Sequence, residues 1–227
     1  MSELAVLVPV LNRPQNVLPL VRSFLKNCPA SATLHLVGDM VTDPDEYAAF
    51  TDATSSERVV WEQTTSAHTW PEKINVGYRR VVADWYLCAA DDVRFHKDWW
   101  GQTATLRELP RIGVIGTNDL GNPRVMEGSH TCHPLVRREY AQQGTWDVPN
   151  SIACEAYQHW YVDNEIVITA RMRNAWGMAI DAVVEHLHPY WKPGEVEWDE
   201  TYALGEANSV NDLATWQARW LEFGGNV

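Results

Sequence analysis

The feature that most constrains the fold is a series of short apolar runs, each followed by a polar break and then by a helical pattern. The first run extends from Leu4 to Val10 and is almost entirely apolar, which is typical of a strand buried on both faces of a parallel sheet. Pro14 is well placed in the first turn of a helix that ends at Cys28-Pro29. One face of this helix carries Val17, Leu18, Val21 and Leu25.

The same alternation continues to about residue 95. Further strands are predicted at 33–37, 58–62 and 84–90, with helices at 42–50 and 73–82 between them. We therefore predict an α/β fold, in which a mostly parallel central sheet is flanked by helices. Such sheets bind ligands beyond the carboxyl ends of their strands, and polar residues cluster at those ends in Asn12-Arg13, Asp39 and Asp91-Asp92.

The second half of the sequence is less regular. A strand is predicted at 112–115, a loop-rich stretch at 117–134, a helix from Asp163 to Trp176 with Gly177 at its end, and a final strand at 180–187. Residues 189–208 are acidic and contain Pro193-Gly194, which predicts a mobile loop. Asp212 is expected to cap a last amphipathic helix that Gly224-Gly225 closes.

The composition excludes several classes of protein. The chain has 227 residues, 45% of them hydrophobic, so it is long enough to form a core and is not disordered. No apolar run approaches the roughly 20 residues that cross a bilayer. The N-terminus lacks the pattern of a secretory signal, so we expect a soluble cytoplasmic protein without a membrane partner. A net charge of −12 disfavours non-specific binding to nucleic acid.

The cysteines do not indicate a metal site. The chain has four of them, and an intracellular protein keeps such residues as reduced thiols, mostly in the core. His130, Cys132 and His133 lie close together in the sequence, but their spacing does not match a structural zinc pattern.

The adjacent carboxylates Asp91 and Asp92 are the strongest chemical signal. They follow directly on a strand that we expect to be buried, where two neighbouring negative charges are costly unless a positive charge neutralises them. A divalent cation can do so, because Mg²⁺ and Mn²⁺ bind one or two carboxylates together with substrate phosphates. The alternative is a solvated turn that caps the stretch 96–100.

Four segments of the chain share their order and spacing with one known family. Two of them are Leu7-Val8-Pro9-Val10-Leu11-Asn12-Arg13 and Gly38-Asp39-Met40-Val41-Thr42-Asp43. The others are Lys73-Ile74-Asn75-Val76-Gly77 and Asp91-Asp92-Val93, which Trp99-Trp100 follows. In these segments, over roughly residues 4 to 190, the chain resembles the family 2 glycosyltransferases of the GT-A fold, in the compact form found in bacteria and bacteriophages. Met40 and Val41 depart from the family pattern, which has Gly and Ser there.

The resemblance implies a role for each strand-end residue. Pro9 and Asn12 would line the pocket for the nucleobase and ribose, and Asp39 would accept a hydrogen bond from the base. Asp91 would face the ribose or the donor sugar. The implied nucleotide- and donor-binding residues are Pro9, Asn12, Arg13, Asp39, Asn75 and Asp91.

The resemblance also implies a Mn²⁺ or Mg²⁺ site. Asp92 would be a ligand, although the shortened motif leaves open which of the two aspartates binds the ion. A histidine near the end of the final strand would be another ligand, with His188 the first candidate and His186 the second. The competing interpretation is a hydrogen-bonded histidine beneath the following loop.

A carboxylate must also reach the hydroxyl group that attacks the donor. The segment Tyr161-Val162-Asp163-Asn164-Glu165 resembles the acidic start of a late helix in the family. Two residues that are two apart on a helix do not face the same side. We therefore choose Asp163 as the catalytic base and give Glu165 a secondary or structural role; a simple N-cap is the alternative for Asp163.

These inferences predict a metal-dependent, inverting glycosyltransferase that uses a nucleoside-diphosphate sugar, with a UDP-sugar the most expected donor. The acceptor is a glycan, a protein or a modified nucleobase, in host cytoplasm if a phage encodes the chain, and a homo-oligomer is possible. We predict one domain over 1–227, with a nucleotide-binding half (1–95), an acceptor-side half (96–190), and a mobile loop and C-terminal helix (191–227). The alternatives are a nucleotidyltransferase acting on sugar phosphates and a non-catalytic carbohydrate-binding protein.

Overall fold

The computed structural model describes residues 2–40 and 44–224. Its strands are β1 (Ser2–Val10), β2 (Thr33–Asp39), β3 (Val59–Thr64), β4 (Ala83–Cys88), β5 (Val93–Phe95), β6 (Val114–Asn118), β7 (Leu135–Arg137) and β8 (Trp176–His186). Its α-helices are α1 (Pro14–Asn27), α2 (Pro44–Ala53), α3 (Trp70–Arg80), α4 (Ala104–Arg107), α5 (Pro123–Met126), α6 (Arg138–Ala141), α7 (Val162–Met172) and α8 (Glu200–Arg219).

The strands form one eight-stranded sheet in the order β3-β2-β1-β4-β7-β6-β8-β5. Strands β3, β2, β1 and β4 run parallel to one another, and β6 runs parallel to β8. The short strands β7 and β5 are antiparallel to their neighbours. The mixed α/β fold with a sheet that is parallel in its core is therefore confirmed, and the carboxyl ends of β1, β2 and β4 meet at one edge.

Both faces of the sheet are covered. Val6 and Val8 of β1 belong to the apolar cluster that contains α1, whereas Ala5 and Leu7 belong to the cluster on the opposite face. Successive side chains of a strand point to opposite faces. The unbroken apolar run of β1 follows from this arrangement, because neither of its faces meets water.

Helix α3 begins three residues earlier than its sequence pattern predicts. Thr69 and Glu72 form a capping box, in which the Thr69 hydroxyl accepts the Glu72 N–H and the Glu72 carboxylate accepts the Thr69 N–H. The proline at position 71 fits the first turn because its missing N–H would have no helical partner there. The helix packs tightly on β1: a Cβ added at Gly77 would lie 3.0 Å from Leu7 Cδ2.

The prediction that one helix runs from Asp163 to Trp176 is wrong at its end. Helix α7 stops at Met172, and Trp176 is the first residue of β8. The turn between them is made at Asn174, whose φ of 53° lies in the left-handed region that asparagine tolerates better than most residues. Gly177 accordingly lies within the strand and does not end the helix.

The prediction of a mobile loop over 189–208 is also wrong from residue 200 onwards, because α8 starts at Glu200. Its N-cap is Asp199, whose carboxylate accepts the Tyr202 N–H at 3.0 Å. Asp212 is not the cap. It is buried within α8, and its carboxylate accepts the N–H groups of residues 158, 159 and 160 at 2.8–2.9 Å.

Two further predictions fall partly outside the described residues, namely the start of the helix at 42–50 and the Gly225 end of the last helix. Among the helices of residues 2–40 and 44–224, none is both long enough and apolar enough to cross a membrane.

Candidate active site

A cavity of about 510 Å³ opens beside the carboxyl ends of β1 and β4. Of the residues that the sequence singles out, its wall contains Pro9, Arg13, Asp91, Asp92, Asp163, His186 and His188. Four other predicted site residues do not line the cavity that the described residues form, namely Asn12, Asp39, Asn75 and Glu165. The structure therefore brings together the acidic pair, the proposed base and both histidines, although they come from distant parts of the chain.

The positive charge next to the acidic pair comes from Arg13, which follows the end of β1. Its guanidinium group lies 3.1 Å from Asp91 and 3.6 Å from Asp92, and all three side chains are buried. The pKa of Asp91 is raised, mainly by burial and next by the negative charge of Asp92. The charge of Arg13 lowers this pKa but does not outweigh the other two effects. Arg13 is also shared with Asp199, whose carboxylate lies 2.9 Å from its Nε.

Asp92 is the carboxylate with the more specific surroundings. Its Oδ2 accepts a hydrogen bond of 2.9 Å from the hydroxyl of Tyr202 in α8. Its Oδ1 lies 3.3 Å from Nε2 of His186. Burial would raise the pKa of Asp92, but the charges of His186 and Arg13 more than offset burial and hold that pKa below its ordinary value. Asp92 is thus the member of the pair that stays ionised.

The side chains around Asp92 fit a divalent cation. Oδ1 of Asp92 is buried and has no aligned hydrogen-bond donor, in spite of the nearby imidazole. Nδ1 of His188 accepts the Tyr190 N–H at 3.2 Å. Nε2 is therefore the nitrogen of His188 that would bind a metal ion. Carboxylate oxygen and imidazole nitrogen are both ligands of Mn²⁺-type ions. These ligand types suit the ion that the sequence predicts, but Asp92 and His188 do not belong to the groups of described side chains whose ligand atoms all lie within 4.8 Å of one another.

Asp163 lies at the start of α7 and is bonded to a histidine that the sequence did not connect with it. Nε2 of His130 lies 3.0 Å from Oδ2 of Asp163, and His130 is buried. Burial would raise the pKa of Asp163, but the charge and hydrogen bond of His130 outweigh it, so that pKa is lowered. Asp163 is therefore held in position and ionised, as a proton acceptor must be.

A buried lysine joins the carboxyl ends of β1 and β2. Nζ of Lys73 donates to the carbonyl of Val10 at 3.1 Å and to Oδ2 of Asp39 at 3.0 Å. Oδ1 of Asp39 lies 3.1 Å from Nδ1 of His68. Lys73 lines the cavity next to Pro9, whereas Asn12 is exposed with a left-handed φ of 53°. The local sequence around Lys73 contains no signal for these contacts, because Val10 and Asp39 are 63 and 34 positions away.

Asn75 and Glu165 bind other parts of the protein. The Asn75 side chain bonds to the backbone of Ile152 and Ala153 and to Glu155, which ties α3 to the segment before α7. Glu165 is buried on the far side of α7, where Arg219 donates two hydrogen bonds of 2.8 Å to its carboxylate. Asn75 and Glu165 thus connect elements of the fold to one another.

Solved structures with the same fold are found among nucleotide-sugar enzymes. The mannosyltransferase PcManGT from Pyrobaculum calidifontis, in complex with GDP-Man and Mn²⁺, has a TM-score of 0.65 at 15% identity, covering 85% of this chain and 58% of that chain. TarS 1-349 from S. aureus, in complex with UDP-GlcNAc, has a TM-score of 0.63 at 14% identity, covering 86% of this chain and 62% of that chain.

Glucosyl-3-phosphoglycerate synthase from Mycobacterium tuberculosis, in complex with Mn²⁺, UDP and glucosyl-3-phosphoglycerate, has a TM-score of 0.66 at 14% identity, covering 96% of this chain and 80% of that chain. The sequence matches no protein-family model and no curated protein. At these identities the similarity establishes the fold, and the chain accordingly has the GT-A fold. It spans less than two thirds of the length of the first two proteins.

Proposed function

We propose that the protein is a glycosyltransferase that moves a sugar from a nucleoside-diphosphate sugar to an acceptor hydroxyl, with inversion at the anomeric carbon and with the help of a divalent cation. The observation that carries this proposal is the buried pair Asp91 and Asp92 at the end of β4, which opens into a cavity with Asp163 in its wall. Open α/β sheets bind their ligands beyond the carboxyl ends of their strands, which supports a donor site at this edge.

The donor side of the proposal rests on the β1 and β4 edge. Pro9, Arg13 and Lys73 border the cavity there, and Arg13 and Lys73 are buried cations that suit the phosphates of a nucleotide. Of the three neighbours, one is described with GDP-Man and two with uridine nucleotides. We propose a UDP-sugar as the donor.

Asp92 and His188 would hold the cation, with His186 as the second candidate for the histidine ligand. A bound divalent cation supplies Lewis-acid stabilisation of the charge that develops on the leaving diphosphate. Mn²⁺ suits a mixed oxygen and nitrogen ligand set better than Mg²⁺ does.

Asp163 would take the proton from the acceptor hydroxyl. His130 holds one oxygen of its carboxylate and keeps it ionised, so that Asp163 can act as a general base. A base that activates the acceptor directly leads to a single displacement with inversion and without a covalent enzyme intermediate. Glu165, which Arg219 holds on the other side of α7, has a structural role in this proposal.

Nucleotide binding and product analysis test the proposal. We expect UDP to raise the melting temperature in the presence of Mn²⁺, and Asp92→Asn to abolish that rise. Asp181→Asn is the matched control, because Asp181 is an exposed aspartate on β8, outside the cavity wall. If UDP binding survives both Mn²⁺ removal and Asp92→Asn, the metal-dependent site is refuted.

The products separate the proposal from the second enzyme class. A glycosyltransferase releases nucleoside diphosphate from the sugar nucleotide, in hydrolysis or in transfer to an acceptor. A nucleotidyltransferase that acts on a sugar phosphate releases pyrophosphate from a nucleoside triphosphate. Pyrophosphate formation from UTP and a sugar phosphate, without UDP release from any sugar nucleotide, would favour that alternative.

A further inference from the structure

Several polar atoms without hydrogen-bond partners lie in the inner wall of the cavity and, at Asp119, directly behind it. Among residues 2–40 and 44–224, ten buried side-chain nitrogen or oxygen atoms have no hydrogen-bond partner. Six of the ten belong to one cluster, formed by Asp92, Asp119, His130, His133 and His186. Buried polar groups without partners are costly, so a ligand that binds some of these atoms would stabilise this part of the protein.

Cys132 lies at the centre of this cluster. Its sulfur, a carboxylate oxygen of Asp119 and a ring nitrogen of His186 all lie within 4.8 Å of one another. Sulfur, nitrogen and oxygen at such separations are the ligand set of Zn²⁺ and of similar thiophilic cations. We propose that Asp119, Cys132 and His186 form a binding site for a Zn²⁺-type cation, separate from the donor cation next to Asp92, whose histidine ligand is then His188.

Asp119 and His186 are each oriented by a second group, as metal ligands in proteins commonly are. Oδ1 of Asp119 accepts the N–H groups of Gly121 and Asn122 at 2.9 and 3.0 Å, and Oδ2 is buried without an N–H or O–H donor. The thiol of Cys132 is a neighbouring donor to Asp119, and it loses its proton when a cation binds. Nε2 of His186 faces the carboxylate of Asp92 at 3.3 Å, and Nδ1 is buried and free. A histidine that binds a metal with one nitrogen usually presents the other to a carboxylate or a carbonyl.

A second group around the same sulfur is less suited to a cation. His130 and Asp163 also lie within 4.8 Å of Cys132 and of each other. However, these two side chains bond to each other at 3.0 Å, and the other oxygen of Asp163 accepts the Asn164 N–H at 2.8 Å. Both oxygens of Asp163 and Nε2 of His130 are therefore already paired, and only Nδ1 of His130 is left in this group, whereas Asp119 and His186 each keep an atom without an N–H or O–H partner.

Three ligands leave one position of a tetrahedral ion open. Cys132 and His186 both line the cavity, so that position faces the space that we assign to the substrates. Zinc sites with three protein ligands and an open fourth position bind water or substrate there. The three ligands come from the end of β6, the following loop and the end of β8. Because they are far apart in the sequence, no zinc-like spacing reveals this site.

Cobalt substitution tests this proposal in the absence of any nucleotide. The result is therefore independent of whether the protein transfers a sugar. We expect one equivalent of Co²⁺ to give a thiolate-to-cobalt charge-transfer band and the strong visible bands of a tetrahedral ion, and Zn²⁺ to abolish both. Cys132→Ser removes the charge-transfer band, and Asp119→Asn lowers the Zn²⁺ affinity at least about tenfold. Cys154→Ala, which removes a buried thiol elsewhere, changes neither.

Asp119→Asn preserves an oxygen for the Gly121 and Asn122 N–H groups, so the variant is expected to fold. A measurement on the unchanged protein provides a second readout: Zn²⁺ should slow the alkylation of Cys132 by a maleimide, followed by mass spectrometry of its peptide. A charge-transfer band that persists in Cys132→Ser, or an alkylation rate of Cys132 that Zn²⁺ does not change, overturns the proposal.

Discussion

Replacing Glu165 by alanine tests whether the two acidic residues at the start of α7 have separate roles. The change removes the acceptor of two 2.8 Å hydrogen bonds from Arg219 and of a 2.9 Å bond from the hydroxyl of Tyr157. Removal of one partner of a buried ion pair costs roughly 3–5 kcal/mol. Because Arg219 keeps two bonds to Asp147, we expect a loss of about 3 kcal/mol, at the lower end of that range.

Urea denaturation followed by circular dichroism measures this loss in the free energy of unfolding. A chain of this length loses about 2–4 °C of melting temperature per kcal/mol, so a drop of about 6–12 °C should accompany it. Asp147→Ala is the control, because Asp147 is the exposed partner of the same arginine. Exposed pairs contribute at most about 1 kcal/mol.

The paired replacement adds a second check. Glu165→Met combined with Arg219→Met should cost less than Glu165→Met alone, since no unpaired charge then remains in the core. The reasoning is refuted if Glu165→Ala costs less than about 1 kcal/mol while it lowers turnover as strongly as a change at Asp163. That outcome would identify Glu165 as the base.

Three further expectations concern single side chains. Asp163→Asn should lower kcat by about 10²–10⁴-fold and leave the UDP dissociation constant in Mn²⁺ nearly unchanged, as isothermal titration would show. Asp212→Ala should cost about 2–3 kcal/mol in urea denaturation, because three N–H groups lose their acceptor. Glu185→Gln should be less stable than the wild type near pH 7, with a difference that narrows as the pH falls from about 4.5 towards 2, measured by thermal unfolding at each pH.

The sign of the last expectation follows from the pKa of Glu185. Burial would raise it, but His96, Lys192 and Arg94 lower it to about 2. A carboxylate whose pKa is lower in the folded state contributes stability above its unfolded value and loses it as the pH falls through the folded value. A pH-independent difference for Glu185, an unchanged kcat for Asp163→Asn, or an unchanged free energy of unfolding for Asp212→Ala would each contradict the assigned contact.

The parallel half of the fold was predictable because its strands are buried on both faces. Strand β1 and the helix after Pro14 lie where the apolar pattern predicts them. Strands β5 and β7, of three residues each, were missed. Three residues are too few for a periodic pattern, and both strands exist because they pair with neighbours that are distant in sequence.

The site was predictable to the extent that strand ends determine it. Asp91, Asp92 and Arg13 follow directly on apolar runs, so the edge they share could be predicted. The contacts of Asp163 with His130 and of Asp92 with Tyr202 join residues 33 and 110 positions apart. Such pairings depend on how the loops and α8 pack, for which a single sequence contains no local pattern.

Helix α8 and its N-cap residue are bonded to several other parts of the molecule. Asp199 contacts Arg13, Tyr202 donates to Asp92, Asp212 accepts the N–H groups before α7, and Arg219 binds Glu165. Elements joined in this way open together when a protein unfolds locally. The amides of α8 and of residues 158–160 should therefore exchange their hydrogens at one common rate, and a chain cleaved before Asp199 would lose one wall of the cavity along with the helix.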